Sequence, residues 1–272
     1  SSNKIYHKFY DKKMNEICHK PTLKSITGGI YIPPAYDNVK INLNKNQKIR
    51  AIGYDVKNRP QYIYHKDFIQ HQSDQKFDHM IEFGKKFSKI NKKINSDLNS
   101  SNINDKQIAI ILKLIIDCQF RIGNERYSKS NKSYGTTTLE KQHLCLKNNS
   151  VEIDFIGKKN VRNKCTVKNR RLVTILKKRN KTLKNKNDKI FNISSKQVNE
   201  YLKKYGNFSA KNFRTWGANI ELISQLIKLS NQYNIKNKND IKKIINKSIK
   251  KVAQRLHNTS SVCKSNYLDP EL

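Results

Sequence analysis

Four residues spread along the chain are of the types that phosphodiester cleavage needs: Arg121, Lys158, Arg214 and Tyr267. Cleavage by a side-chain nucleophile requires positive charge where the phosphorane develops and an acid for the leaving oxygen. Arginine suits the first task because its planar guanidinium pairs with two phosphate oxygens and stays ionised. A tyrosine hydroxyl titrates near ~10 when unperturbed, so cationic neighbours must activate it. Such a set of residues can break and reform a phosphodiester bond without a metal ion.

Each of these residues lies in a longer run that resembles a segment of the type IB DNA topoisomerases of the poxviral and bacterial kind. The runs, in chain order, are CQFRIGNERY with the following YGTTTL, then FIGKKN, FSAKNFRTWG and VAQRLHNTSSVCKSNYLDP. The resemblance extends from about residue 28 to Leu272 and is greatest to the bacterial-like subgroup. The ordered series is far more specific than any single run.

The resemblance implies a role for each residue. Tyr267 is expected to be the nucleophile, and Arg121 and Arg214 are expected to bind the scissile phosphate. The family places its general-acid lysine directly after the glycine of a hairpin turn, which points to Lys158 as the residue that protonates the leaving 5′ oxygen. The adjacent Lys159 stays open as the alternative, because the local signal does not separate two neighbouring lysines.

A fifth catalytic position has two candidates, Asn258 and His257. Poxviral members of the family carry a histidine nine residues before the tyrosine, and the residue nine positions before Tyr267 is Asn258. Bacterial-type members often have asparagine there, so Asn258 is expected to donate a hydrogen bond to a non-bridging phosphate oxygen. The alternative is a one-residue insertion that lets His257 perform this task.

Five further residues are expected to contact DNA: Gln61, Tyr62, Tyr64, Tyr127 and Lys211. The run RPQYIYH resembles a DNA-facing strand of the family, in which a glutamine can read an adenine edge and tyrosines can touch thymine methyls, sugar or phosphate. The alternative is that the two strand tyrosines merely pack. Lys211 stands where topoisomerases carry lysine and tyrosine recombinases usually carry histidine.

Residues 1–78 are predicted to form a small β-rich domain, which the resemblance assigns to DNA binding. Glycine and proline pairs separate short apolar runs at 30–32 and 39–41. Two strands are predicted at 49–53 and 61–64, on either side of a turn that contains a proline. Alternation then places the two tyrosines of the second strand on one face.

Residues 79–272 are predicted to form a mostly α-helical catalytic domain with one β-hairpin. Helical periodicity begins near Phe77, and a strongly apolar helix is predicted at 108–120. The hairpin is predicted from strands at 151–155 and 164–167. The chain is therefore expected to be of the α+β class, and the resemblance implies the fold shared by tyrosine recombinases and type IB topoisomerases.

The chain is strongly basic: 56 lysines and arginines oppose 21 acidic residues, for a formal charge of +35. This excess favours a polyanionic partner, above all nucleic acid, because each neutralised phosphate releases counterions. Compositional bias towards lysine and asparagine also contributes, so charge alone names no function. The basic segment 177–189 is expected to be an exposed connection. No lipidation motif or long apolar run suggests a membrane partner.

The cysteines are odd in number and form no CxxC pair, which favours a reduced, intracellular protein without structural zinc. The nuclear, cytoplasmic and virion compartments are not distinguished. Histidine spacing suggests no metal site, and no cofactor is expected. The five cysteines are Cys18, Cys118, Cys145, Cys165 and Cys263.

The resemblance predicts an enzyme that clamps double-stranded DNA as a monomer and relaxes it through a 3′-phosphotyrosyl intermediate, without ATP or metal. The first alternative is a tyrosine recombinase or integrase, which would need partner subunits. Lys211 and the DNA-binding domain that precedes the catalytic residues speak against it. The second alternative is a non-catalytic basic protein that coats DNA, for which Tyr267 would be dispensable.

Overall fold

The computed structural model describes residues 8–233 and 235–272. The chain divides into two compact units, Ser1–Asp78 and His79–Leu272. The described residues form mainly helices, together with one three-stranded antiparallel sheet in each unit. The predicted α+β class is therefore confirmed.

The first unit contains helix α1 (Lys20–Thr27) and a sheet with the strand order β1-β2-β3. The strands are β1 (Asp37–Ile41), β2 (Ile49–Tyr54) and β3 (Pro60–Tyr64). Both strands of the predicted pair are present, and they are antiparallel. A proline is tolerated as the first residue of β3 because that strand lies at the edge of the sheet.

Two predictions for this part of the chain were wrong in detail. The run 30–32 is irregular, because Gly29 at φ +76° precedes it and Pro33 follows it, which leaves too little chain for a strand. Helix α2 (Lys66–Asp97) begins well before Phe77. Its first turns are mostly polar and exposed, so apolar periodicity does not reveal them.

The second unit is built around α3 (Ile103–Cys118), whose side chains are buried on almost every side. Its nearly continuous apolar sequence predicted this, because a helix without a polar face must be surrounded by protein. The later part of α2 packs in the same core, and six further helices of the described chain follow α3: α4 (Glu125–Asn131), α5 (Arg170–Thr182), α6 (Ser195–Lys203), α7 (Ala210–Gln232), α8 (Lys238–Arg255) and α9 (Ser260–Asn266).

Short polar residues begin these helices. Asn102, Asn169 and Asn237 accept hydrogen bonds from backbone N–H groups in the first turns of α3, α5 and α8. Ser194 and Thr259 do the same for α6 and α9. Each such cap pairs N–H groups that have no partner within the helix, so these residues set where each helix starts.

The predicted hairpin is present as β5 (Val151–Ile156) and β6 (Arg162–Val167), and β4 (Leu144–Leu146) adds a third strand. The segment 177–189 was expected to be an exposed connection, but α5 extends to Thr182. The buried apolar side chains of α5 lie before residue 177, and the helix continues from that amphipathic stretch into the start of the basic segment.

Two clusters of buried side chains form the core of the second unit. The larger one joins α3 to the sheet, α5, α6 and the start of α7. Within it, the rings of Phe120 and Phe155 meet edge to face at 4.8 Å. The smaller cluster joins α7, α8 and α9 and includes Tyr267 and Leu268. The segment that follows α9 is therefore packed as part of the domain.

The expectation that all the cysteines are reduced was wrong for one pair. Cys118, the last residue of α3, forms a disulfide with Cys165 on β6. Their Cα atoms lie 5.7 Å apart although 47 residues separate them in sequence. Spacing in sequence could not show this proximity, because the tertiary fold creates it. Cys18 and Cys145 are free and exposed, and Cys263 is free and buried.

Candidate active site

The segment that carries Arg121 follows α3 and is held in place by two threonines. Backbone N–H groups of Thr136 and Thr137 donate to the carbonyls of Arg121 and Ile122 at 2.9 and 2.8 Å. The threonine hydroxyls donate to the same two carbonyls at 3.2 and 2.9 Å. Gly123 follows at φ +90°, a conformation that favours glycine. These contacts explain the YGTTTL run: it fixes the backbone from which Arg121 projects.

Arg214 lies on the first turns of α7 and is only 3% exposed. Its Nη2 donates to the hydroxyl of Tyr267 at 3.3 Å and to the carbonyl of Leu256 at 3.1 Å. The guanidinium carbon lies 5.3 Å from the centre of the Tyr267 ring. Its Nε and Nη1 are buried and have no hydrogen-bond partner among the described residues. Two donors beside the tyrosine hydroxyl are thus left for a ligand.

Arg121 reaches the same place from the other side. Its Nη2 donates to Oδ1 of Asn258 at 2.6 Å, between residues 137 positions apart in the sequence. The Nδ2 of Asn258 is buried and has no hydrogen-bond partner within residues 8–233 and 235–272. The amide is therefore oriented by Arg121, and its N–H₂ group is available to an acceptor. Unpaired buried donors are uncommon in proteins and call for an explanation such as a ligand.

The hydroxyl of Tyr267 experiences two opposing influences. Burial raises the pKa of Tyr267, but the positive charges of Arg214 and Arg121 and the hydrogen-bonding side chains of Arg214 and Asn258 outweigh it, so that the pKa is lowered from its ordinary value. Burial lowers the pKa of Arg214, whereas the neighbouring Tyr267 raises it, and the net effect is a lowered pKa. The arrangement favours a phenolate, which is the nucleophilic form of tyrosine.

The predicted acid, Lys158, lies at the exposed tip of the β5–β6 hairpin, beside Lys159 at φ +61°. Among the described residues, neither lysine hydrogen-bonds to Tyr267. The hairpin is nevertheless anchored next to the arginine segment, because Phe155, near the turn end of β5, packs on Phe120. The structure thus brings the hairpin close to the site without placing a lysine amine on the tyrosine.

The two candidates for the fifth position face different neighbours. Asn258 contacts Arg121 through its side chain. The imidazole of His257 instead lies against the end of α3, where its Nε2 donates to the carbonyl of Cys118 at 3.2 Å and its ring centre is 5.4 Å from that of Phe120. Of the two, Asn258 is the one whose side chain hydrogen-bonds to Arg121.

The three residues predicted to contact DNA in the first unit lie on β3. Tyr62 is 47% and Tyr64 36% exposed, with ring centres 6.2 Å apart, so both present a face to solvent. The amide of Gln61 donates to Asp55 at 3.1 Å, and Asp55 also accepts two hydrogen bonds from the guanidinium of Arg59. Gln61 is therefore held in one orientation, which a base edge would have to match.

The other two predicted DNA contacts lie on helices of the second unit. Lys211 is exposed on α7, one turn before Arg214. Residues three apart on a helix lie on the same side, so the Lys211 amine projects from the surface above the arginine. Tyr127 is 54% exposed on α4, which follows the Arg121 segment. Both positions leave the side chain open to a nucleic acid backbone.

One residue at the site, Asn219, was not among the residues predicted from the sequence. It is 2% exposed on α7, and its Nδ2 donates to the carbonyl of Tyr267 at 2.8 Å. Its Oδ1 accepts from the N–H of Asp269 at 2.8 Å. Asn219 therefore clamps the backbone on both sides of Leu268. The available signal was an asparagine between Ala218 and Leu222 on the apolar face of a helix, where a polar side chain needs a buried partner.

Within residues 8–233 and 235–272, no cluster of three or more histidine, cysteine, aspartate or glutamate side chains is suited to hold a metal ion. In the same residues, we find no helix with the length and apolar character that crossing a bilayer requires.

Comparison with known proteins identifies the family to which the chain belongs. The family described as the catalytic core of eukaryotic DNA topoisomerase I matches residues 65–270. DNA topoisomerase 1B of Acanthamoeba polyphaga mimivirus is 30% identical over 282 residues, which cover 98% of this chain and 83% of that protein. DNA topoisomerase 1B of vaccinia virus (strain Copenhagen) is 27% identical over 221 residues, which cover 80% and 69%. The chain belongs to this family and is a type IB DNA topoisomerase.

A solved structure of the XerH site-specific recombinase, bound to its difH substrate after cleavage, also matches. It aligns with a TM-score of 0.43 and 16% identity, over 68% of this chain and 48% of the recombinase. A likeness at this level does not favour the recombinase alternative.

Proposed function

We propose that this type IB topoisomerase relaxes supercoiled duplex DNA by cutting and resealing one strand. The hydroxyl oxygen of Tyr267 attacks a backbone phosphorus, the bond from phosphorus to the 5′ oxygen breaks, and a 3′-phosphotyrosyl link forms. The cut strand rotates, and the freed 5′-hydroxyl then attacks the same phosphorus and releases the tyrosine. Because the covalent link retains the energy of the phosphodiester bond, neither ATP nor metal is required.

One observation carries the assignment of residues: the Tyr267 hydroxyl lies 3.3 Å from Nη2 of Arg214, whose Nε and Nη1 are buried and unpaired in the described chain. A phosphate bound to those donors would sit directly beside the nucleophile. Arg121 and the free Nδ2 of Asn258 would bind its other oxygens. Donors fixed before the reaction stabilise the phosphorane at little reorganisation cost.

Lys158 is the general acid of the proposal. Its exposed place at the hairpin tip supports an amine that reaches the leaving 5′ oxygen once DNA is bound. In that case Lys158→Ala slows cleavage of an ordinary phosphodiester much more than cleavage of a substrate with a 5′-thiol leaving group, which needs no proton. The same comparison with Lys159→Ala separates the two lysines.

We further propose that the enzyme works as a monomer that clamps duplex DNA and acts inside the cell or virion, where DNA is found. The charge of +35 and the two compact units support this mode. Gln61, Tyr62 and Tyr64 would contact the duplex from the first unit, and Tyr127 and Lys211 from the second. Binding should weaken steeply with salt, with a slope of about 0.9 per phosphate contacted. Light scattering of the enzyme on a short duplex should give one protein chain per duplex.

The test of the proposed function is relaxation of supercoiled plasmid in EDTA, together with trapping of the covalent adduct. The wild-type chain should give a ladder of topoisomers and an adduct that mass spectrometry maps to Tyr267. Tyr267→Phe should give neither, while it binds duplex DNA as the wild type does. Tyr233→Phe is the matched control, since Tyr233 is 40% exposed and lies outside the site. An active Tyr267→Phe enzyme would overturn the proposal.

A further inference from the structure

The turn between α8 and α9 has the hydrogen-bond pattern of a Schellman motif. The N–H of Asn258 donates to the carbonyl of Ala253 at 2.9 Å, and the N–H of His257 donates to that of Gln254 at 3.1 Å. The residue in the middle of such a turn takes a left-handed conformation, which glycine adopts most readily because it lacks a Cβ. Here that residue is His257, at φ +54°. Its side chain must therefore make interactions that offset the strain.

The imidazole of His257 makes two such interactions, both with the segment that leads into Arg121. Its Nε2 donates to the carbonyl of Cys118 at 3.2 Å, and that carbonyl belongs to the last turn of α3, where carbonyls have no partner within the helix. The ring also packs on Phe120 at 5.4 Å. Phe120 is fully buried and directly precedes Arg121 in the sequence.

The electrostatic surroundings suit a neutral ring. Burial lowers the pKa of His257, the hydrogen bond to Cys118 opposes this, and the charges of Arg214 and Arg121 lower it further, with a net lowering. A neutral imidazole protonated at Nε2 keeps the hydrogen bond. It also adds no third positive charge beside the two arginines, which already repel one another.

We propose that His257 is a positioning residue for covalent catalysis: it joins the α8–α9 turn to the Arg121 segment and so holds Asn258 in hydrogen-bond contact with Arg121. The next residue after His257 in the turn is Asn258, so a displacement of the ring carries the amide with it. His257 itself touches no phosphate in this arrangement. The inference rests on the proposed function, because it assigns His257 a part in orienting a group of that site.

The experiment measures single-turnover formation of the covalent adduct on a duplex, beside duplex affinity and the thermal unfolding midpoint. His257→Gly removes the ring and relieves the strained conformation. It should lower the rate of adduct formation roughly 3- to 10-fold, as expected for loss of one hydrogen bond to a neutral acceptor. Affinity and the unfolding midpoint should not fall. His257→Gln, whose amide N–H has a similar reach, should recover part of the rate. Met14→Gly is the matched control, because Met14 also has a positive φ, +67°, and is exposed.

A double-mutant cycle distinguishes positioning from a general structural effect. If His257 acts through Asn258, then His257→Gly should cost little in a chain that already carries Asn258→Ala, and should cost its full factor in one that carries Lys158→Ala. Equal losses in both backgrounds would overturn the inference, as would a wild-type rate for His257→Gly. If His257→Gly lowers the unfolding midpoint, the rates of adduct formation of His257→Gln and His257→Phe are compared instead. Equal rates for these two variants would refute a role for the hydrogen bond.

The same experiment separates this inference from the proposed function. A wild-type chain that forms an adduct at Tyr267, together with an unaffected His257→Gly variant, leaves the proposed function standing and overturns only the inference. A wild-type chain without any adduct overturns both.

Discussion

Replacement of Asn219 by alanine should detach the segment that carries Tyr267, the proposed nucleophile. The Asn219 side chain is the buried link between α7 and the backbone on both sides of Leu268: it donates to the carbonyl of Tyr267 and accepts from the N–H of Asp269, each at 2.8 Å. Alanine can do neither. Its helix-forming tendency is better than that of asparagine, so α7 itself should not be weakened.

The size of the effect follows from the two groups that Asn219→Ala leaves unpaired. A buried polar group that loses its only partner costs about 1–3 kcal/mol. The carbonyl of Tyr267 is well enclosed, since Tyr267 is 8% and Leu268 5% exposed, whereas Asp269 is only partly buried and water can replace its partner. We therefore expect docking of this segment to weaken by about 2–4 kcal/mol, and the cleavage rate to fall by up to ~10²–10³-fold.

The assay is single-turnover formation of the covalent adduct, with duplex affinity and the unfolding midpoint measured on the same samples. Affinity should change little, because Asn219 is buried and contacts the terminal segment rather than a DNA-accessible surface. Gln225→Ala is the control: this amide lies on the same helix but pairs with Glu221, away from the terminal segment. A folded Asn219→Ala enzyme that forms the adduct within about twofold of the wild-type rate would refute the reasoning.

Three further predictions concern charge, covalent linkage and packing. Arg214→Ala should lower the cleavage rate by a factor of ~10²–10³. Because the arginine lowers the pKa of Tyr267, its loss should also shift the pH at which the cleavage rate rises to a higher value. An unchanged pH profile would contradict this electrostatic role. Reduction of the Cys118–Cys165 disulfide should lower the free energy of unfolding by at most about 4 kcal/mol, which is the loss of chain entropy expected for a loop of this length. Urea unfolding with and without dithiothreitol measures this difference. The Cys165→Ser variant should show no response to the reductant. Gly84→Ala should lower the free energy of unfolding by about 1–3 kcal/mol, since its new methyl group would lie 2.3 Å from the ring of the chain's single tryptophan. An unchanged stability in thermal unfolding would mean that the indole moves aside.

Local sequence patterns were sufficient to predict those helices and strands whose formation depends mainly on neighbouring residues. The strands β2 and β3 and the hairpin β5–β6 were predicted from short apolar runs between turn residues, and these elements are present. The helix α3 was predicted because its sequence is apolar on every side. The start of α2 and the extent of α5 were missed, since polar residues dominate both stretches and apolar periodicity therefore does not mark them as helical.

The candidate site shows the same division. The ordered series of motifs pointed to Arg121, Arg214 and Tyr267, because each motif is a contiguous run that can be recognised without a structure. Asn219 was missed because its partners, the backbone groups around Leu268, lie about 50 residues away and belong to no side chain that a motif could display. Which of His257 and Asn258 contacts Arg121 likewise depended on which way the turn between α8 and α9 faces.

What the amino-acid sequence supplied by itself was a set of ordered motifs, whose resemblance to a known family predicted the chemistry, the candidate residues and the class of fold, and a short-range periodicity that predicted several helices and strands. Only the tertiary structure decided which side chains meet. It paired Arg121 with Asn258, attached His257 to the end of α3, linked Cys118 to Cys165 and clamped the nucleophile segment with Asn219. The physical reason is that each of these contacts joins residues far apart in sequence, and their distance is set by how the helices and the hairpin pack around a common core.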